Sequence, residues 1–193
     1  GKVQKGSKAD SDDDAAAELL KLVEKGYLRA FESLAELEAR LGEAPLISEL
    51  IVIAKKTRDR IKKRFIVNLK KSGISRSSHK SEKVILPKAM DLVWAALELM
   101  KESEASAVDS GILHLILDYS DAFFQVPLNP AERCFAVIRF RGKLYLFLRA
   151  PQGSRGAPLL WARTCALVSR LAMSTCDLKK VKLNTYVDDP SFM

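Results

Sequence analysis

The chain has 193 residues, with 32 Lys and Arg against 24 Asp and Glu, a formal net charge of +8, and 48% hydrophobic against 29% charged residues. That balance excludes a wholly disordered chain and a collagen-like one, and the length suits one sizeable core or one domain with a small appendage. Apolar runs such as Gly111 to Leu117 are broken by polar residues well short of the roughly twenty needed to cross a bilayer, so no membrane span is expected.

The opening Gly1-Lys2-Val3, without a methionine or an apolar leader, reads as a piece of a longer protein. Residues through Asp14, rich in Lys, Ser and Asp, read as a flexible arm or linker. Ala15 to Lys25 has helical spacing, and Ser33-Leu34-Ala35-Glu36 is a capping box that starts a second helix, with Gly42 as its stop. Leu46 to Ala54 and Lys63 to Leu69 are β-rich runs flanking a basic stretch, which predicts an antiparallel hairpin with a charged tip. Ser72 to Lys83 is a Ser- and Lys-rich connection.

Pro87 can open a helix running to Lys101, in which Leu92, Val93, Ala96, Leu99 and Met100 form a stripe expected to face the core. Gly111 to Leu117 reads as a short apolar strand that delivers Asp118-Tyr119-Ser120-Asp121 at its end. Cys134 to Phe140 and Lys143 to Leu148 read as strands joined by Arg141-Gly142. A long helix over Ala157 to Ser174 is entered through Pro151-Gln152-Gly153-Ser154-Arg155-Gly156, and a strand over Val181 to Val187 ends on Asp188-Asp189.

Charge is distributed unevenly. Asp10 to Glu49 carries eleven acids and four bases, whereas Ala54 to Lys83 carries twelve bases and two acids. A basic run interleaved with Ile61, Phe65, Ile66 and Val67 suits a folded element that faces phosphates, the plainer reading being a solvated face or a localisation signal. Cys134, Cys165 and Cys176 form no CxxC pair and are odd in number, which favours reduced thiols with packing roles in an intracellular setting. His79, in the Ser/Lys connection, and His114, in a buried-looking strand, are poor catalytic candidates.

Two strand ends some seventy residues apart thus present aspartates, Asp118 on one and Asp188-Asp189 on the other. Bringing such carboxylates together costs several kcal/mol unless divalent cations neutralise them. Hard oxygen ligands suit Mg²⁺, and two such ions about 4 Å apart can activate an attacking oxygen and stabilise a leaving one. The plainer reading is that these aspartates cap turns.

Three segments carry a family resemblance: Leu117-Asp118-Tyr119-Ser120-Asp121-Ala122-Phe123-Phe124-Gln125-Val126-Pro127-Leu128, then Pro151-Gln152-Gly153-Ser154-Arg155-Gly156-Ala157-Pro158, then Tyr186-Val187-Asp188-Asp189. In order and spacing they resemble successive signature motifs of reverse transcriptases, closer to retroviral and retrotransposon enzymes than to viral RNA replicases, which usually carry Gly-Asp-Asp at the third. Lys63 to Lys70 resembles the family's fingers strand, so the resemblance covers roughly residues 20 to 193.

The resemblance implies an α+β fold: the fingers of a right-hand polymerase over residues 15–110 and the first part of its palm over 111–193, with a small antiparallel sheet backed by helices and the thumb absent. It implies an RNA-directed DNA polymerase that adds dNTPs to a primer 3′-hydroxyl on an RNA or DNA template, inside the cell, with two Mg²⁺ ions per site for which Mn²⁺ can substitute. Asp118, Asp188 and Asp189 would be catalytic, with Asp118, Asp188 and the main chain of Tyr119 holding the metal. Asp121 and Ala122 would lie against the triphosphate. Phe123 would sit beneath the sugar, where its ring opposes a ribose 2′-hydroxyl and selects dNTPs, while Phe124 is a core aromatic.

Gln152 and Gly153 match the family's nucleotide-binding turn, although Gln152 could instead cap the following helix. Arg64 and one of Lys55 or Lys56, with Lys56 preferred, match the fingers residues on the triphosphate, and Lys62, Lys63, Lys70 and Arg155 would line the template path. Three positions depart from the common pattern: Asn68 for Asp, Ala157 for Ser, and Pro190 after the aspartate pair, where an edge strand would tolerate it. Two alternatives stay open, a catalytically silent nucleic-acid-binding remnant of a retroelement polymerase and an RNA-templated RNA polymerase.

Overall fold

The structure, a computed structural model, describes residues 7–56, 61–78, 82–105 and 111–193. In chain order its first elements are β1 (Ser7–Lys8), α1 (Asp13–Glu24), β2 (Leu28–Phe31), α2 (Leu34–Leu41), β3 (Ile47–Lys56), β4 (Ile61–Val67) and α3 (Ile74–Ser77). There follow α4 (Ala89–Ala105), β5 (Leu115–Ile116), β6 (Val137–Phe140), β7 (Lys143–Phe147), α5 (Ala157–Met173), β8 (Leu183–Tyr186) and β9 (Asp189–Phe192). The protein is mixed α and β, with two sheets among the described residues. It divides into two compact units, Gly1–Lys80 with Phe123–Ala157 and Ser81–Ala122 with Pro158–Met193. Each unit therefore takes two separate stretches of chain.

The first unit is built on a six-stranded sheet in the order β1-β3-β6-β7-β2, with β4 also paired to β3. Its pairings are antiparallel except β3 with β6, so the sheet is mixed rather than purely antiparallel. Both faces are covered, which explains the nearly continuous apolar sequence of β7: Tyr145 and Phe147 point to one core with Leu19 and Leu22 of α1, while Leu144 and Leu146 point to another with Leu37 of α2. The 140–143 turn has Arg141 at φ 47° and Gly142 at φ 79°, the two left-handed residues of a type I′ hairpin.

The expected β3–β4 hairpin forms, with Ile53 opposite Arg64 and Leu50 opposite Val67. Ser33 caps α2 by accepting the Glu36 N–H at 3.2 Å, and Gly42 ends it at φ 77°. The expected arm is instead part of the fold from Ser7 onward. Ser7 pairs with Val52, Ala9 is fully buried, and Asp12 caps α1 by accepting the Asp14 N–H at 3.0 Å. Cys134 and Phe135, expected as the start of a strand, instead end a 3₁₀ helix over Pro130–Phe135, which begins where Asn129 caps the Ala131 N–H and Pro130 follows it.

The second unit holds α4 and most of α5 with a three-stranded antiparallel sheet in the order β5-β9-β8. Its core is small. On α4 the buried pair is Ala95 and Leu99, whereas Val93 and Met100 of the expected stripe are 46% and 49% exposed. Apolar residues from Met90 to Met100 nearly encircle this helix, so periodicity alone does not choose its buried face. The expected strand at Gly111 to Leu117 shrinks to Leu115–Ile116, and both residues are exposed. His114, also exposed, hydrogen-bonds Ser191 Oγ, and His79 lies outside the described residues.

Candidate functional site

In the second unit, β8 and β9 are joined by the two-residue turn Val187-Asp188, with Tyr186 opposite Asp189. Val187 has φ 59° while Asp188 does not share the positive φ, the sign pattern of a type II′ turn. A β-branched residue in that region is strained. The turn is braced from α5, where the buried Trp161 donates its indole N–H to the Val187 carbonyl at 2.7 Å.

β5 pairs with β9 through Ile116 opposite Ser191, and the ladder continues beyond the strand: Leu117 N–H donates to Pro190 O and Tyr119 N–H to Asp188 O, both at 2.9 Å. This register sets Asp118 directly across from Asp189, between two hydrogen-bonded positions, where Cα atoms stand about 4.5 Å apart and side chains share a face. Tyr119 stands across from Asp188. Asp118 and Asp189 are exposed and Asp188 is half-buried. Two like charges on one face of a ladder repel, and they concentrate hard oxygen donors at one place.

Tyr119 packs edge-on against Trp161 at 5.1 Å between centroids. Burial pushes its hydroxyl up, with the Cys165 thiol adding to the shift. Asp121 has φ 54°, a left-handed conformation that aspartate tolerates, and Ala122 is buried. Among the described residues no three His, Cys, Asp or Glu side chains stand close enough to form a metal cage. Two aspartates on one face, with Asp188 adjacent in sequence, nonetheless fit Mg²⁺, which commonly takes one or two carboxylates and completes its shell with water and substrate phosphate.

Pro190 is the surprise of this sheet. It lies in the central strand β9, not on an edge. Its ring nitrogen turns toward β5, so the ladder keeps the Leu117 N–H to Pro190 O bond and loses its reciprocal.

In the first unit the turn at Gln152-Gly153 is docked on β4. Val67 N–H donates to Gln152 O at 3.1 Å. Gly153 has φ 101°, and a Cβ there would collide with Ile66 Cγ2 and come within 2.8 Å of Val67 O. The glycine is thus required by the β3–β4 hairpin itself. The Ala157 N–H is taken by Ser154 Oγ at 3.0 Å, so Ser154, not Gln152, caps that turn, and the exposed Gln152 side chain is not spent on it. Arg64 is exposed on β4 and has no ion-pair partner among the described residues.

Phe124 belongs to the core, stacked between Tyr27 at 5.3 Å and Phe147 at 6.4 Å, as expected. Its neighbour Phe123 is half-buried. Of the residues expected on the template path, Lys70 is exposed. Lys63 is instead held by Asp12 at 2.8 Å and Asp14 at 2.7 Å. Arg155 donates to Ser75 O and Ser78 O, at 3.4 and 3.3 Å, at the end of α3. Lys55 and Lys56 lie on β3 and Lys62 on β4, with their side chains outside the described set.

The carboxylate group and the Gln152-Gly153 group belong to different units, and each is assembled within its own. Sequence reasoning missed Trp161, whose only signal is a lone indole three residues after Pro158, and the Asp12–Lys63–Asp14 cluster, which joins residues about fifty positions apart.

A protein-family model described as "Reverse transcriptase (RNA-dependent DNA polymerase)" matches residues 55–193, a span that takes in all three motifs. No curated protein matches the chain.

Proposed function

Because the chain belongs to the reverse transcriptase family, we propose that it is an RNA-directed DNA polymerase of a retroelement, working with RNA or DNA template, DNA primer and dNTPs. The observation that carries this reading is the ladder that puts Asp118 opposite Asp189, with Asp188 next in the chain and across from Tyr119. Two divalent cations, Mg²⁺ or Mn²⁺, held by Asp118, Asp188 and the Tyr119 main chain, would supply charge neutralisation and a more acidic primer hydroxyl when bound.

The protein's own contribution is positioning and selection. The primer 3′-oxygen forms a bond to the α-phosphorus of the dNTP, the bond to the β-phosphate oxygen breaks, pyrophosphate leaves, and the hydroxyl proton passes to solvent. Asp118 and Asp188 fix the polar frame of that exchange, with Asp121 and Ala122 along the triphosphate. Arg64 and Lys56 offset the triphosphate charge, Arg64 through a planar fork. Gln152 and Gly153 shape the nucleotide-binding turn, and the Phe123 ring fills the space that a 2′-hydroxyl needs. Lys62 and Lys70 contact template phosphates.

Primer extension on an RNA template tests the reading. Metal-dependent dNTP incorporation that vanishes in Asp118→Asn is expected, together with easier rNTP entry in Phe123→Val. Retained template binding without incorporation would favour the silent remnant, the reading to which Pro190 in a central strand lends weight. Efficient rNTP incorporation by the wild type would favour an RNA-templated RNA polymerase.

A further inference from the structure

Three features of the second unit converge on the carboxylate turn. Val187 holds an unfavourable φ of 59°, Pro190 withholds a ladder bond from the β5–β9 pairing, and Trp161 meets both strand ends. A strained turn beside a weakened ladder needs an outside support to stay in one conformation. The Trp161 side chain is 3% exposed, so its N–H has no water to turn to, and it spends that donor on the Val187 carbonyl. The same ring system meets Tyr119 in a T-shaped contact, and the Tyr119 N–H is bonded to Asp188 O. One side chain therefore links the residue after Asp118 to the residue before Asp188.

We infer that Trp161 is a positioning residue that acts through its indole N–H, holding the Val187-Asp188 turn so that the carboxylates are pre-set for divalent cation. The inference rests on the polymerase reading of those carboxylates but adds a residue that touches neither metal nor substrate. Packing alone is a different role, and the two separate cleanly in Trp161→Phe, which keeps an aromatic ring and deletes only the donor. Losing a hydrogen bond to a strained turn weakens the pre-set state by about the net worth of one such bond, which corresponds to roughly a three- to tenfold loss in cation affinity.

The test is Mn²⁺ binding to the intact chain, followed by the paramagnetic signal of the free ion, for the wild type, Trp161→Phe, Asp118→Asn, and Trp94→Phe as an exposed-tryptophan control. Melting curves establish that each variant is folded. The expected result is a three- to tenfold weaker Mn²⁺ affinity in Trp161→Phe, near-complete loss in Asp118→Asn, and wild-type affinity in Trp94→Phe. Val187→Gly provides the second arm, since glycine carries no penalty at positive φ. In that background the further effect of Trp161→Phe shrinks below twofold, a coupling that mere packing does not produce.

Wild-type affinity in Trp161→Phe, with Asp118→Asn still deficient, would overturn the positioning role alone. Unchanged binding in Asp118→Asn would overturn the carboxylate site and this inference with it. Strictly additive effects of Trp161→Phe and Val187→Gly would assign Trp161 to packing.

Discussion

Asp118, two residues past β5, faces Asp189 of β9 across the continued ladder, with both carboxylates on the same side of the sheet. A directly opposed pair of like charges costs about 0.2–1 kcal/mol relative to a neutral pair. Removing one charge should therefore stabilise the protein when no divalent cation is present. Asp118→Asn is expected to melt about 1–3 °C above the wild type in chelator, and to lose the upward shift that Mn²⁺ gives the wild type. Differential scanning calorimetry reads both; a variant that melts lower in chelator would mean that Asp118 is held by partners stronger than this repulsion.

The Gln152-Gly153 turn gives a sharper test, because two glycines of one loop differ in what surrounds them. A Cβ at Gly153 meets Ile66 and Val67 at a φ of 101°, whereas at Gly156 nothing lies within 4 Å and φ is not positive. Gly153→Ala is expected to lose about 2–4 kcal/mol through combined overpacking and backbone strain. Gly156→Ala should stay within about 0.5 kcal/mol. Urea denaturation midpoints compare them, and equal losses would refute the docking of this turn on β4.

What the sequence disclosed follows the range of the interactions. The β3–β4 hairpin, the Ser33 cap and the Arg141-Gly142 turn depend on residues adjacent in sequence, and they form as read. The Asp118 and Asp188 motifs were legible for the same reason, as short strings ending short strands. The face of α4 was not, since its apolar residues nearly surround the axis and the choice between Val93 and Ala95 belongs to the tertiary neighbours. Nor was the fate of Lys63, which reads as template-binding in a basic run until Asp12 and Asp14 fold back onto it. Nor was the setting of Pro190: a proline there is tolerable at a strand edge, yet β5 adds outside β9 and makes that strand central.

The Lys63 cluster predicts a pH profile with a plateau. Hydrogen bonding to Lys63 holds the Asp12 carboxyl below its ordinary value, with the Ala15 and Asp14 amides of the helix start helping, and bonds to Asp12 and then Asp14 hold the Lys63 ammonium above its own. A lowered carboxylate contributes stability above the unfolded-state pKa and loses it as pH falls through the folded value. A raised ammonium contributes below the unfolded-state pKa and loses it as pH rises through the folded value. The difference in melting temperature between wild type and Lys63→Gln should thus be flat from about pH 5 to about pH 9 and shrink toward both extremes. It should also narrow in high salt, because Asp14 is largely exposed and Lys63 partly so. A difference that grows in acid would contradict the ion pairing.

The three thiols should separate by burial. Cys134 and Cys165 are buried and Cys176 is half-buried at the end of α5, its thiol pointed at Ala172 O at 3.5 Å. Burial pushes the Cys134 thiol up, and the nearby Glu43 carboxylate adds to the shift, so even the fraction of reactive thiolate at pH 8 is reduced there. A disulfide reagent at pH 8 is expected to modify Cys176 first, with Cys134 and Cys165 reacting at the rate of local opening or in denaturant. Cys176→Ser should accordingly remove the fast phase and leave the slow amplitude intact. Peptide mapping of the labelled chain identifies the site directly, and fast labelling at Cys165 would show that the α5 face carrying Trp161 and Cys165 opens more freely than its packing against Tyr119 allows.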